Sequence, residues 1–439
     1  MPEPTHTRYE QIMLDHSHHP DDAAALLHAA ARTARTAIPA DTEHDQAIRD
    51  VAAGVAAPAL IGATFWMLRE AHHSGLERLR FLSRDGQIFY ELARRLAPLA
   101  GVDLDMEYVY SSRMTWSLAA TNPQHLDQES WLFNSFVKSN ASDLCARLGL
   151  PADDYTPLLH SAGVSLDPDV RADHPGQADA MRRFLALPPV TEAAAARIAH
   201  TRDLLIDYAA RHDLTDSRTG LIDAGWTGRM VGSLLTACGA TDSGRPRVLF
   251  WGHEPRPTGG IDPDLVTAYM YNTGTGQGMN FRVPDAPFVV ETFCMGDHGI
   301  VTGYQRSSTG DVEPILQSPS NTAAEVWGLR TYRSTVYAVA DELTEVPTDD
   351  LRPLIHQIMV AFWRHPTRQE ATTWGKYPYD SDPTGTAARP LARPLDPDNP
   401  IRGDRAWLCG TLALSTPEVH SQYLKSARDD NLHGAPETD

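Results

Sequence analysis

The segment Thr219–Leu235, TGLIDAGWTGRMVGSLL, constrains this chain more than any other. Gly220, Leu221 and Ile222 form a short, bounded apolar run of the kind that makes a buried strand. The run ends in an acid, Asp223. Gly225 and Gly228 then flank Trp226 and Thr227, and a helical pattern opens at about Arg229. Pro246–Trp251 (PRVLFW) reads as the next strand, at the separation a βαβ crossover needs. A strand, an acidic end, a Thr-Gly turn and a helix make a cradle for a phosphorylated sugar. The carboxylate suits sugar hydroxyls, and the N–H groups of the turn and helix N-terminus face a phosphate.

A second unit of the same kind lies upstream. Leu79–Leu82 reads as a buried strand running into Ser83, Arg84, Asp85 and Gly86, followed by a helix with Ile88, Phe89, Leu92 and Leu96 on its apolar face. Met106–Tyr110 reads as the next strand and ends in Ser111, Ser112 and Arg113. In open α/β sheets ligands sit at the carboxyl ends of strands. The expectation is therefore an α/β fold with a mainly parallel sheet and both loops at one end of it.

The rest of the chain divides around these units. Residues 1–45 are polar and read as an N-terminal arm, with His16, His18 and His19 too few and too close for a metal site. Residues 46–118 hold the first half of the core. They open with Val51–Leu68, which carries no charge and reads as a buried helix rather than a membrane span. Residues 119–215 read as a helical insertion or cap. Residues 216–320 hold the second half of the core and the acceptor loops, with strand-like runs at Leu265–Tyr271 and Pro287–Val290. Residues 321–439 read as a C-terminal helical region and a polar tail.

The formal net charge of −19 argues against nucleic-acid binding, which needs a basic footprint, and suits a cationic partner. The four cysteines are widely spaced, as reduced structural thiols are, and the N-terminal residues show no signal-peptide pattern. A cytoplasmic protein with no membrane contact is expected.

Ser83-Arg84-Asp85-Gly86 and Asp223 to Arg229 together resemble the pyrophosphate and PRPP loops of type I phosphoribosyltransferases. Ala224 stands where that family carries a second acid. The resemblance implies a phosphoribosyltransferase-like sheet, PRPP as co-substrate with Mg²⁺, and transfer of 5-phosphoribose to an acceptor. It assigns Thr227, Gly228 and Arg229, with Gly225 and Trp226, to the 5-phosphate end. Ser83, Arg84, Gly86, Ser112 and Arg113 go to the pyrophosphate, and Asp85 and Asp223 to the metal. A homodimer is compatible with it. FLSRDG, YVYSSR, IDAGWTGRM, ETFCMGDHG and HPTRQEA are also similar to the C-terminal half of bacterial proteins labelled predicted HAD-type hydrolases, whose Asp-x-Asp signature is not found here at a strand end.

The segment Glu291–Gly303, ETFCMGDHGIVTG, offers Glu291, Asp297 and His298 within eight positions. Glu291 or His298 suits a general base, and Asp223 a ribose ligand. Glu254 lies on the expected rim. With the acidic charge, these readings make a cationic amino sugar of the aminoglycoside class the expected acceptor. An HAD-type phosphatase and a non-catalytic phosphosugar-binding protein are the alternatives.

Overall fold

The computed structural model describes residues 6–133, 140–240, 244–256, 260–379, 388–398 and 406–429; the tail 430–439 and part of the proline-rich stretch before it lie outside them. At its centre are five parallel strands: β1 (Arg78–Leu82), β2 (Asp105–Val109), β3 (Thr219–Trp226), β4 (Arg247–His253) and β5 (Val266–Asn272). Their order across the sheet is β2-β1-β3-β4-β5. The chain thus reverses its direction of travel between β1 and β3, and the carboxyl ends of those two strands flank a topological switch point.

Both faces of the sheet are apolar, as a buried parallel sheet requires. Leu79, Phe81, Ile222, Leu249 and Trp251 join one core, while Leu82, Val109, Leu221, Val248 and Phe250 join the other. The alternation along each strand follows the two-residue period. The first core is covered by the helices Gly86–Ala100, Leu329–Asp341 and Arg352–Arg364 and by one long helical run, Glu43–His73. The most apolar window of that run is 94% buried inside the protein, so it serves as a core helix. Pro58 cannot donate to the carbonyl four residues before it. Just ahead of it, Ala52–Ala56 takes a π-helical turn that absorbs the mismatch.

The second core is covered by the helices Arg113–Ala120 and Arg229–Ala237 and by an antiparallel hairpin of β6 (Val301–Arg306) and β7 (Val312–Leu316). The stretch between β2 and β3 is helical and has a hydrophobic cluster of its own around Leu144, Met181 and Phe184. The helix Pro188–Arg211 ties it to the sheet. Its Val190, Ala194 and Ile198 lie in the separate cluster, and its Leu204, Leu205 and Tyr208 pack on the second core.

Three expectations are corrected. Residues 8–37 are not a solvated arm: they form the helices Arg8–His16 and Ala23–Ala37. Tyr9, Met13, Leu27, Ala30, Ala31 and Ala34 enter the main core there, and Glu10 and Arg35 pair inside it at 2.6 Å. An alanine-rich face looks weakly hydrophobic in sequence, yet it allows close helix packing; a Cβ on Gly54 would lie 2.7 Å from Tyr9. Pro287–Val290 is not a strand but lies in the helix Ala286–Phe293. A four-residue apolar run has no periodicity to tell the two apart. Finally, β3 does not stop at Ile222 but continues to Trp226.

Candidate active site at the switch point

β1 pairs with β3 only as far as Phe81 and Ile222, whereas β4 accompanies β3 to Trp226. Asp223 is therefore the first residue of β3 beyond its β1 partner, at the mouth of the switch-point crevice. Gly225 and Trp226 keep pairing with β4 at positive φ, 116° and 79°. A side chain on Gly225 would sit 2.4 Å from the Gly252 carbonyl, so the strand overhang itself demands glycine there. Trp226 has no such freedom, and its left-handed backbone is strained.

On the β1 side, Ser83 and Ser111 stitch the two strand ends together. Ser83 Oγ donates to the Ser111 carbonyl at 2.8 Å, Ser111 N–H donates to Ser83 Oγ at 2.7 Å, and Ser111 Oγ donates to the Ser83 carbonyl at 2.9 Å. Asp85 precedes the helix Gly86–Ala100, and Gly86 lets that helix meet β1, since its Cβ would lie 2.6 Å from the Phe81 carbonyl carbon. Ser112 caps the helix that begins at Arg113, accepting from Thr115 N–H.

Three carboxylates converge on this crevice. Asp85 and Asp223 lie half-buried on its floor, and Glu291 enters from the helix Ala286–Phe293. Burial pushes the Asp223 carboxyl up to about 7; the Glu291 charge adds to this, and Arg113 and the Ala224 N–H oppose it. Asp85 is raised well above the carboxylate range by burial, then by Asp223 and Glu291, against Arg84 and Arg113. The buried Cys294 thiol is pushed up by burial and by the same three acids. The only hydrogen bond to the Asp223 side chain among the described residues comes from Ala224 N–H, at 2.9 Å. Glu291 is held on both oxygens, by Trp226 Nε1–H at 3.0 Å and by the Tyr379 hydroxyl at 2.9 Å.

A cationic end adjoins the acidic one. Arg229 opens the helix Arg229–Ala237, and its pKa is depressed by burial and then by the charges of Arg256 and Arg113. The loop after β4 folds over this turn: Glu254 N–H donates to the Trp226 carbonyl at 2.8 Å. Its Ile261 fills the space beside Gly228, where a Cβ would meet it at 2.3 Å. Gly228, at φ 69°, is thus required by packing and backbone conformation, not by an open face toward a ligand. Thr227 lies in the turn just before it.

The segment after Glu291 is a buttress. Asp297 accepts from Gln87 Nε2 at 2.7 Å and from Arg333 Nη1 at 3.0 Å. Gly296 packs on Arg84, with 3.0 Å from its Cβ position to the Arg84 Cβ. His298 is buried and neutral, its pKa lowered by burial. Its Nδ1–H donates to the Gly299 carbonyl and its Nε2 accepts from the Tyr108 hydroxyl, each at 2.7 Å. Glu254 accepts from Tyr271 and Arg282, each at 2.9 Å.

The structure thus gathers Arg84, Asp85, Arg113, Asp223, Trp226, Arg229 and Glu291 in one region, while Ser83, Ser112 and His298 have their polar atoms engaged in structural bonds. Arg256, Tyr379, Gln87, Arg333 and Ser111 were not read as site residues. Of these only Ser111 and Gln87, beside the quoted loops, carried a local signal. Among the described residues no group of three or more His, Cys, Asp or Glu side chains is placed to close around a metal ion. Asp85 and Asp223 still fit Mg²⁺ held jointly with a ligand's phosphates, because that ion commonly takes one or two carboxylates and completes its shell with phosphate and water oxygens.

No protein-family model matches this chain, and no curated protein is similar to it in sequence.

Proposed function

We propose that this protein is a PRPP-dependent phosphoribosyltransferase that transfers 5-phosphoribose to a hydroxyl of a cationic amino sugar, of the aminoglycoside class, in bacterial secondary metabolism. The observation that carries the reading is an acidic floor at one switch point, Asp85 and Asp223, with arginines on both sides of it: Arg84 and Arg113 after β1 and β2, Arg229 and Arg256 after β3 and β4. PRPP has the matching polarity, with phosphates at both ends and a hydroxylated ring between them.

In this reading Arg229 and the helix it opens take the 5-phosphate, and Arg84 and Arg113 take the pyrophosphate. Asp85 would hold Mg²⁺ with the pyrophosphate, which leaves Asp223 unligated, and the ion would neutralise the leaving group. The acceptor oxygen bonds to the anomeric carbon, the bond from that carbon to pyrophosphate breaks, and the acceptor proton passes to a base. Asp223 suits that role better than Glu291. Its pKa of about 7 lies near working pH, whereas Glu291 already accepts on both oxygens. Glu291 then orients Trp226 and keeps the floor anionic, which favours an ammonium-bearing acceptor. An HAD-type phosphatase lacks comparable support: Gly225 and Gln87 stand where a second aspartate would follow Asp223 or Asp85.

The test is product formation from PRPP and MgCl₂ with neamine-like amino sugars, nucleobases and neutral sugars, read by mass spectrometry with pyrophosphate release. A phosphoribosylated amino sugar is expected. Release of phosphate from simple phosphomonoesters without transfer would overturn the proposal.

A further inference from the structure

A cavity of about 270 Å³ lies at the β5 edge of the sheet, away from the switch point. Gly62, Phe65, Trp66 and Arg69 of the long core helix form one wall, Tyr269 of β5 another, and Pro347–Arg352 the rim. Its size is close to the lower end of small-ligand sites.

Its chemistry is specific. Tyr269 is only 7% exposed, and its hydroxyl makes no hydrogen bond to the described residues and is accessible from the cavity. The hydroxyl sits 2.9 Å from the point where a Cβ on Gly62 would be, so it reaches the bare helix backbone that lines the cavity. Its donor and acceptor are therefore available to whatever fills the cavity. The Trp66 ring lies 5.5 Å from that of Tyr269 and completes an aromatic wall. Of the four charged residues, Arg352 and Asp350 neutralise each other through a two-pronged pair at 2.8 Å. Arg69 and Asp349 have no ion-pair partner among the described residues. Arg69 makes one long bond to the Pro347 carbonyl, at 3.4 Å, and Asp349 accepts from Ala23 N–H, at 3.1 Å.

We propose that this cavity is a binding site for a small zwitterion with a planar ring, that is, an aromatic α-amino acid. The Arg69 guanidinium takes the carboxylate, Asp349 takes the ammonium, and the ring lies against Trp66 beside the Tyr269 hydroxyl. A guanidinium fork matches a carboxylate in two parallel bonds, and an aromatic face is the least costly partner for a flat apolar ring. The site is independent of the chemistry proposed for the switch point.

The experiment is calorimetric titration of the full chain with L-phenylalanine, L-tyrosine and L-tryptophan. Phenethylamine and 3-phenylpropionate, each lacking one charge, serve as comparisons. At least one amino acid should bind saturably, at roughly millimolar or better, and about tenfold tighter than either singly charged analogue. Arg69→Gln should abolish the preference over phenethylamine, and Asp349→Asn the preference over 3-phenylpropionate. Tyr269→Phe should weaken all three amino acids. Matched melting temperatures identify variants that keep the fold. Absence of saturable binding by all three amino acids, or binding unchanged in folded Arg69→Gln and Asp349→Asn variants, overturns the proposal.

Discussion

Replacing Asp223 with Asn should make the protein more stable and abolish the proposed transfer, with a pH signature that separates the two effects. An Asp carboxyl ordinarily titrates near 3.8, and burial with the Glu291 charge brings Asp223 to about 7. An acid raised on folding binds its proton more tightly in the native state, so stability falls as pH rises between those two values. At about 1.4 kcal/mol per pH unit, the ionised carboxylate costs the fold up to about 4 kcal/mol above pH 7. Asn retains the shape, and its carbonyl can still accept from Ala224 N–H. It also removes one of the charges that raise Asp85. The variant should therefore match the wild type below about pH 4, gain on it through pH 4–7, and exceed it by about 2–4 kcal/mol at pH 8. That corresponds to a gain of a few degrees in Tm for a chain of this size. Differential scanning calorimetry of both proteins from pH 4 to 8 reads the difference directly. A gap that does not vary with pH, or a wild type more stable at pH 8, would refute the idea of a carboxylate held at electrostatic cost.

Other expectations follow from the same geometry. The rate of transfer should rise with pH through about 7, as Asp223 loses its proton, and Glu291→Gln should move that inflection to lower pH; an unmoved inflection in the variant argues against coupling between the two acids. Gly228→Ala should destabilise the chain by roughly 1–3 kcal/mol through its positive φ and the clash with the Ile261 Cγ2 methyl, and it should cost less in an Ile261→Ala background, where that methyl is gone; thermal melts of the two single variants and the double variant check this. Arg35→Ala should cost about 3–5 kcal/mol by stranding the buried Glu10 carboxylate, and a melt indistinguishable from wild type would show that the pair does not hold the N-terminal helices in place. Added salt should raise the KM for a polycationic acceptor, since exposed charges are screened over about 8–10 Å at physiological ionic strength; a salt-independent KM would remove the electrostatic argument for the acceptor class.

The two strand-loop-helix units were legible because their signals are local: a short apolar run, a turn of small and polar residues, then a 3.6-residue period. Asp223, Asp85, Arg113 and Arg229 sit at the junctions of those units and could be named from the sequence alone. What escaped depends on distance along the chain. Tyr379 reaches Glu291 across 88 positions, and Arg333 reaches Gln87 across 246. The overhang of β3 was hidden because Gly225 at positive φ imitates a turn, and only pairing with β4 keeps it in the sheet. His298 read as a candidate base from its type and neighbours, yet its two ring nitrogens are occupied by Tyr108 and Gly299. Gly228 reads from the sequence as part of the 5-phosphate end, yet the space beside it is filled by Ile261, which lies 33 positions later and carries no mark of that contact in the sequence.

The proposed binding of PRPP in the crevice between the ends of β1 and β3 is read by calorimetric titration with PRPP and MgCl₂. One PRPP per chain is expected for the wild type, at least tenfold weaker binding for folded Arg229→Ala and Arg113→Ala, and unchanged binding for Arg69→Gln at the distant cavity. No heat of binding from the wild type, or equal affinity in all four proteins, would contradict it.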